Sequence, residues 1–288
     1  MKRESKPFVE MAIIIGVGFA YLLCAQGGLL LATVQQNASP VWPAAGIALA
    51  AVFRFGRKAV IGIWLGAFFA NFFTPSPFLA SVGIASGNAI EAVVAVFLLR
   101  RLLSVETEWR FLLRACAYPL AAAVAASLSA TIGPLSLLAS GVVTASELPQ
   151  VFATWWIGDA LGILVFSPLL LIYKRKYSIG WLRHAKTPEL ILFTLCAAGL
   201  IGTLFFTKTI TAELFLIFPL ILWASTRFGT LVVRILVVVT ALAAVIGTVR
   251  GFGPFYQGRL NENLIALQLF IAALTVTAIA LGELRDLA

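Results

Sequence analysis

Two carboxylic acids stand deep inside apolar stretches of this chain. Asp159 lies in Trp155-Trp156-Ile157-Gly158-Asp159-Ala160-Leu161-Gly162, within an apolar run over residues 150–172, and Glu91 follows Gly87-Asn88 in a second run over residues 79–99. A run of about 20 residues at ~1.5 Å of rise each crosses a bilayer. Both acids are then expected in the hydrocarbon, where a carboxylate costs about 2.5–3.5 kcal/mol on insertion scales. Each must be protonated, face a cavity, or meet a partner such as Arg250. Asn88 and Glu91 share a helical turn, so amide and carboxyl point into one sector. Trp155 precedes Asp159 by one turn and can offer a ring wall or an indole N–H. Asn71, at the outer end of the preceding span, and Trp42, opening the one before it, complete the candidate group. Two acids without an evident basic mate fit a cation site, a proton-coupled switch or an amine ligand. They equally fit two unrelated structural hydrogen bonds.

The elements that position these groups follow from composition. The chain has 288 residues, 61% hydrophobic and 11% charged, and a mean hydropathy of +1.01. That balance excludes a soluble globule and indicates an all-α polytopic membrane protein. About ten transmembrane helices are expected, near residues 8–32, 41–55, 59–73, 79–99, 112–132, 150–172, 189–206, 212–226, 230–249 and 264–283, with eight as the alternative count. With a cytoplasmic N-terminus, only Lys208, Arg250 and Arg259 of the 21 Lys and Arg fall outside. This bias places both termini in the cytoplasm. The net charge of +9 is therefore a topology signal and not a nucleic-acid surface.

The second and third spans are short, roughly 22 Å against a core of about 30 Å. A re-entrant hairpin would carry Arg54, Arg57 and Lys58 into the membrane at its tip, so two tilted or bilayer-thinning helices are expected instead. Pro43 suits the first turn of the second span, and Trp42 suits an interfacial belt or the rim of a ligand entrance. Gly158 and Gly162 form a small-residue stripe where a second helix can approach. Similar stripes occur at Gly62-Gly66-Ala70, Gly83-Gly87 and Ala117-Ala121-Ala125-Ser129.

Other chemistries are excluded by inventory. Cys24, Cys116 and Cys196 stand singly in apolar runs, so no disulfide framework, metal site or cofactor site is expected. The one histidine, His184, lies in a basic loop, which leaves no haem pair and no Ser-His catalytic pair within the membrane. Residues 1–7 look like a signal n-region without a clear cleavage site beyond, so an uncleaved first span is expected. The outer loops are too short to fold as a binding domain, so a stimulus must reach the bundle, its outer mouth or the lipid. After the last span, Leu284 and Leu287 keep helical spacing while charge appears around them, as in a helix emerging into the cytoplasm. The expected division is residues 1–282 as one integral membrane domain and 283–288 as the start of a cytoplasmic signalling helix.

An ordered set of motifs resembles the membrane-associated sensor domain of the first type, the MASE family of bacterial signalling proteins. It comprises Trp42-Pro43-Ala44-Ala45-Gly46, Gly66-Ala67-Phe68-Phe69-Ala70-Asn71, Gly87-Asn88-Ala89-Ile90-Glu91-Ala92 with Arg100-Arg101, Trp155 to Gly162 with Pro168, Phe218-Pro219, Trp223, Arg227-Phe228-Gly229 and Gly251-Phe252-Gly253-Pro254-Phe255. The resemblance covers nearly the whole chain. It implies an input module of the bacterial inner membrane, itself no enzyme, that reports a small molecule or membrane state to a cytoplasmic output domain or partner after Ala288. Such outputs are diguanylate cyclases, cyclic-di-GMP phosphodiesterases, PAS units or histidine kinases, and a homodimer is expected. On this reading Asp159, Glu91 and Asn88 form a polar centre with Trp155, Trp42 and Asn71 around its outer approach. A small-solute transporter or membrane-embedded binding subunit, and a scaffold that only anchors a partner, are the rivals.

Overall fold

A computed structural model describes residues 7–30, 39–74, 76–105, 110–171, 187–208, 211–256 and 260–287. The leader-like residues 1–6, His184 with its basic loop, Arg259 and Ala288 lie outside them. The described residues form ten α-helices: α1 (Pro7–Leu29), α2 (Pro43–Phe55), α3 (Arg57–Phe72), α4 (Phe78–Leu103), α5 (Arg110–Ala139), α6 (Leu148–Leu171), α7 (Thr187–Phe206), α8 (Ile217–Arg227), α9 (Thr230–Val249) and α10 (Leu260–Leu287). Seven are long and apolar enough to cross a membrane; α2, α3 and α8 are shorter.

The chain divides into two compact units. The first holds Met1–Glu106 and Ala117–Ile163, the second Thr107–Cys116 and Leu164–Ala288. Helices α5 and α6 therefore each begin in one unit and end in the other. In the first unit α1 packs along α3, α3 along α4, and α2 against α1, α3 and α4. Glycine permits these approaches. A Cβ on Gly66 would stand 2.5 Å from the Gly18 carbonyl oxygen, and one on Gly62 2.5 Å from that of Ile14. In the second unit α9 contacts α7, α8 and α10, and α10 contacts α8.

The four helices α1–α4 and the four helices α7–α10 follow the same order: a long helix, a short one, a tight glycine turn, then two further helices. Both turns carry Arg-Phe-Gly, as Arg54-Phe55-Gly56 and Arg227-Phe228-Gly229. Gly56 has φ 67° and Gly229 φ 92°, a backbone region that side-chain-bearing residues rarely occupy. In each set an acid in the first turn of the leading helix pairs with a cation at the turn: Glu10 with Lys58 at 2.6 Å, and Glu189 with Arg227 at 2.6 Å. The chain thus contains an internal repeat of architecture, with α5 and α6 between its copies.

The brevity of α2 has a cause other than bilayer thinning. Residues Ser39–Trp42 approach in non-helical conformation and lie against the middle of α6. The Trp42 amide donates to the Gly158 carbonyl at 2.9 Å, and Cβ atoms on Gly158 and Gly162 would collide with the carbonyl oxygens of Ser39 and Trp42. Gly158 and Gly162 therefore receive a non-helical strip of backbone and not the neighbouring helix that their spacing predicts. Non-helical backbone is tolerated at membrane depth only where protein buries it, and Ser39, Pro40 and Val41 are all buried. Asp159 stands eleven residues into α6, roughly 16 Å of rise from its start, so this strip brings the N-terminal end of α2 to mid-helix depth.

Candidate functional site

The polar centre of the first unit gathers side chains from five elements. Asp159 (α6) and Glu91 (α4) are each 2% exposed, Asn88 3%, Asn71 6% and Trp155 8%. Ser39, Trp42, Asn71, Ile84, Asn88, Trp155 and Asp159 line a cavity of about 10 Å³, space for the centre of one water-sized particle. Glu91 lies outside that lining. It is close enough to Asp159 for the two charges to act on each other, and the Tyr21 phenol is within the same reach of both.

Ser129 on α5 is the hub. Its hydroxyl donates to Asn88 Oδ1 at 3.0 Å and accepts from the Trp155 indole N–H at 3.2 Å. The Asp159 carboxylate is near enough to the Ser129 hydroxyl and the Trp155 indole to interact with both electrostatically. Helix α5 comes this close because α4 is glycine-lined. Gly87 faces Ile132 and Ser129, and Gly83 faces Ser136. Gly133, on α5, gives room to the Trp155 ring, which would stand 2.8 Å from an added Cβ. Asn71 turns its Nδ2 to the Ala67 carbonyl of its own helix at 2.9 Å.

Trp42 packs against α1. Its ring covers Gly28 of α1, and its indole N–H donates to the Tyr21 hydroxyl at 3.4 Å. As the residue preceding Pro43, it also sets the positive end of the α2 dipole beside the cavity. That is a favourable position for an anion such as Asp159.

Among the described residues neither acid meets a cation: no ion pair includes Asp159 or Glu91, and Arg250, the partner that the sequence offers, belongs to the second unit. Glu91 Oε1 and Asp159 Oδ2 are buried without a hydrogen-bond partner among the described residues. Such an atom costs about 1–3 kcal/mol when left unsatisfied. The centre therefore has an excess of acceptors, with Asp159 on the lining of a space the size of one water and Glu91 outside that lining. Chemically it can hold a proton, a water molecule or a small cation, and it is too small for an organic solute without rearrangement. Among the described residues no three His, Cys, Asp or Glu side chains converge as a metal site.

Of the six residues singled out from sequence, five line the cavity and Glu91 lies within electrostatic reach of it. Ser129 and Tyr21 were not among them. Ser129 had entered only as one member of a small-residue stripe. A tyrosine hydroxyl in the middle of an otherwise apolar span was the available signal for Tyr21, because in lipid such a group needs a partner.

The ten helices of the described residues, seven of them of spanning length, define a multi-pass membrane protein. A family model described as MASE1 matches residues 11–285, and the chain belongs to that family. Its members are membrane sensory input modules, typically linked to cytoplasmic output domains. No curated protein and no solved structure matches the chain.

Proposed function

We propose that this chain is the sensory input module of a signalling protein of the bacterial inner membrane, and that its sensing element is the polar centre around Asp159, Glu91, Asn88 and Ser129. The observation that carries this reading is the pair of buried carboxylate oxygens without partners among the described residues, Asp159 lining a water-sized cavity and Glu91 lying outside that lining. A proton, a water-sized cation or a membrane-driven repacking that satisfies those oxygens favours one arrangement of the α4–α5–α6 crossing over another. Trp155, Trp42 and Asn71 shape the approach to it. The change leaves the bundle through α10, residues 283–288 forming the start of the signalling helix, and acts on a cyclic-di-GMP or histidine-kinase output, on the same chain or a partner, within a homodimer.

The test is a fusion of a reporter output domain after Ala288, assayed in membranes with Asp159→Asn. A shift of 1.4 kcal/mol between two packings is tenfold in population, so a change in basal output of about that size is expected. An unchanged output, with the variant folded and inserted as before, refutes the assignment.

A further inference from the structure

Away from the polar centre, the opposite end of the first unit carries an amphipathic groove. It has a volume of about 560 Å³ and lies between the α2–α3 turn and the last turns of α4. Arg57, Arg100 and Arg101 stand at one end. Below them the walls are apolar, including Val60, Val93 and Phe97. The order along the helices fixes the polarity. Arg101, Phe97 and Val93 are spaced by four residues on one face of α4, and Val60 follows Arg57 by one turn of α3. Cationic groups therefore sit at the end of the groove where the helices leave the membrane, and the apolar walls run toward its interior.

Arg100 is held in place: its guanidinium donates to the Phe53 carbonyl at 2.8 Å and lies 4.9 Å from the centre of the Phe53 ring. No described carboxylate pairs with Arg57 or Arg101. Phe97 is 66% exposed and Val93 43% exposed.

We infer that this groove binds one anionic phospholipid of the inner leaflet, the phosphate against Arg57, Arg100 and Arg101 and an acyl chain along Val60, Val93 and Phe97. Charge complementarity selects the headgroup, since guanidinium groups bind phosphate in bidentate fashion. The apolar walls select a lipid over a free anion, because only a lipid brings a chain to cover them. Basic pockets between helices at the cytoplasmic face are suited to such headgroups.

The test is native mass spectrometry of the full chain in detergent, titrated with phosphatidylglycerol and, separately, with phosphatidylcholine of the same acyl chains. One phosphatidylglycerol is expected to bind at least tenfold more tightly than phosphatidylcholine. Because Arg100 also ties α4 to α2, the variant is Arg57→Gln with Arg101→Gln. At roughly fivefold per arginine near the surface, it should weaken phosphatidylglycerol binding about 25-fold and leave phosphatidylcholine unaffected. Arg57→Lys with Arg101→Lys, which keeps the charge and loses the bidentate geometry, should bind between the unaltered chain and the Gln variant, and Arg54→Gln, outside the groove, should bind as the unaltered chain does. Equal retention of the two lipids by the unaltered chain would overturn the proposal, as would full displacement of phosphatidylglycerol by equimolar inorganic phosphate. Undiminished binding in the folded Gln variant would do the same.

Discussion

Gly162→Ala tests the contact on which the polar centre rests. An added Cβ would overlap the Trp42 carbonyl oxygen and stand 2.7 Å from its carbon. Against ~3.5 Å for carbon atoms at optimal separation, the two backbones must part by about 1 Å. That displacement breaks the 2.9 Å bond from the Trp42 amide to the Gly158 carbonyl and moves Trp42 off the cavity. Overpacking costs about 1–3 kcal/mol, and the lost hydrogen bond about 0.5–1.5 kcal/mol. The gain in helix propensity returns at most about 1 kcal/mol, so a net loss near 2 kcal/mol is expected. Gly199→Ala and Gly202→Ala on α7 are the controls: a Cβ there meets nothing within 4 Å, and both should be neutral or stabilising. Equilibrium unfolding in dodecyl maltoside titrated with dodecyl sulfate, followed by circular dichroism, measures the difference. A Gly162→Ala protein as stable as the two α7 variants would refute the packing of Ser39–Trp42 on α6.

Ser129→Ala should cost about 1–3 kcal/mol in the same unfolding assay, because Asn88 Oδ1 loses its donor and the Trp155 indole its acceptor. It should also alter the reporter fusion, whereas Ser127→Ala, whose hydroxyl bonds only its own helix at the Val124 carbonyl, should change neither. The Arg114–Glu283 pair, 3.7 Å apart with side chains 21% and 10% exposed, should show a coupling near 1 kcal/mol in a double-mutant cycle with alanine. Additive effects would remove this pair from the account of how α10 is held. Gly56→Ala and Gly229→Ala should each lose about 1–3 kcal/mol from forcing a side chain into positive φ. Loss at one turn and none at the other would end the claim that the turns are equivalent.

Periodicity and hydropathy located the helices well, because a helix in lipid must satisfy its own backbone and so shows itself as an unbroken apolar run. Trp42-Pro43 marked the start of α2, and the cationic Arg54-Phe55-Gly56-Arg57 marked its end. What those signals could not convey is why α2 is short. Ser39-Pro40-Val41 has no period, and only the structure reveals it as backbone laid into the Gly158–Gly162 groove. The repeat was within reach, since Arg-Phe-Gly occurs twice, each time with an acid near the start of the helix two elements earlier. Side-chain identity diverges elsewhere between the copies, Asn71 and Glu91 having no evident counterparts, so apolar content alone masks the relation. Ser129 was hidden for a different reason. Serine satisfies the small-residue spacing of a packing stripe just as alanine does, and only the proximity of Asn88 and Trp155 turns its hydroxyl into the hub.

The two oxygens without partners set the scale of any switch built on this centre. At about 1–3 kcal/mol each, Glu91 Oε1 and Asp159 Oδ2 hold roughly 2–6 kcal/mol, released in full only if an occupant beside Asp159 and a repacking at Glu91, which lies outside the cavity lining, satisfied both. Only the part that differs between two packings can act on output, and a tenfold response needs about 1.4 kcal/mol. The centre can therefore drive a usable change while most of its energy is common to both states. Its route outward is covalent. Helix α5 carries Ser129 at the centre and, beyond Pro119, Arg114, which pairs with Glu283 on α10. Helix α6 carries Asp159 at the centre and ends where the Pro168 carbonyl accepts from Arg234 on α9. Proline at 119 removes one helical hydrogen bond between Ser129 and Arg114, which makes that point a compliant one between the two. A tilt of the α5 segment that bears Ser129 would thus be absorbed or passed on at Pro119, and stiffening that position should change how strongly the centre governs the helix that leaves the membrane.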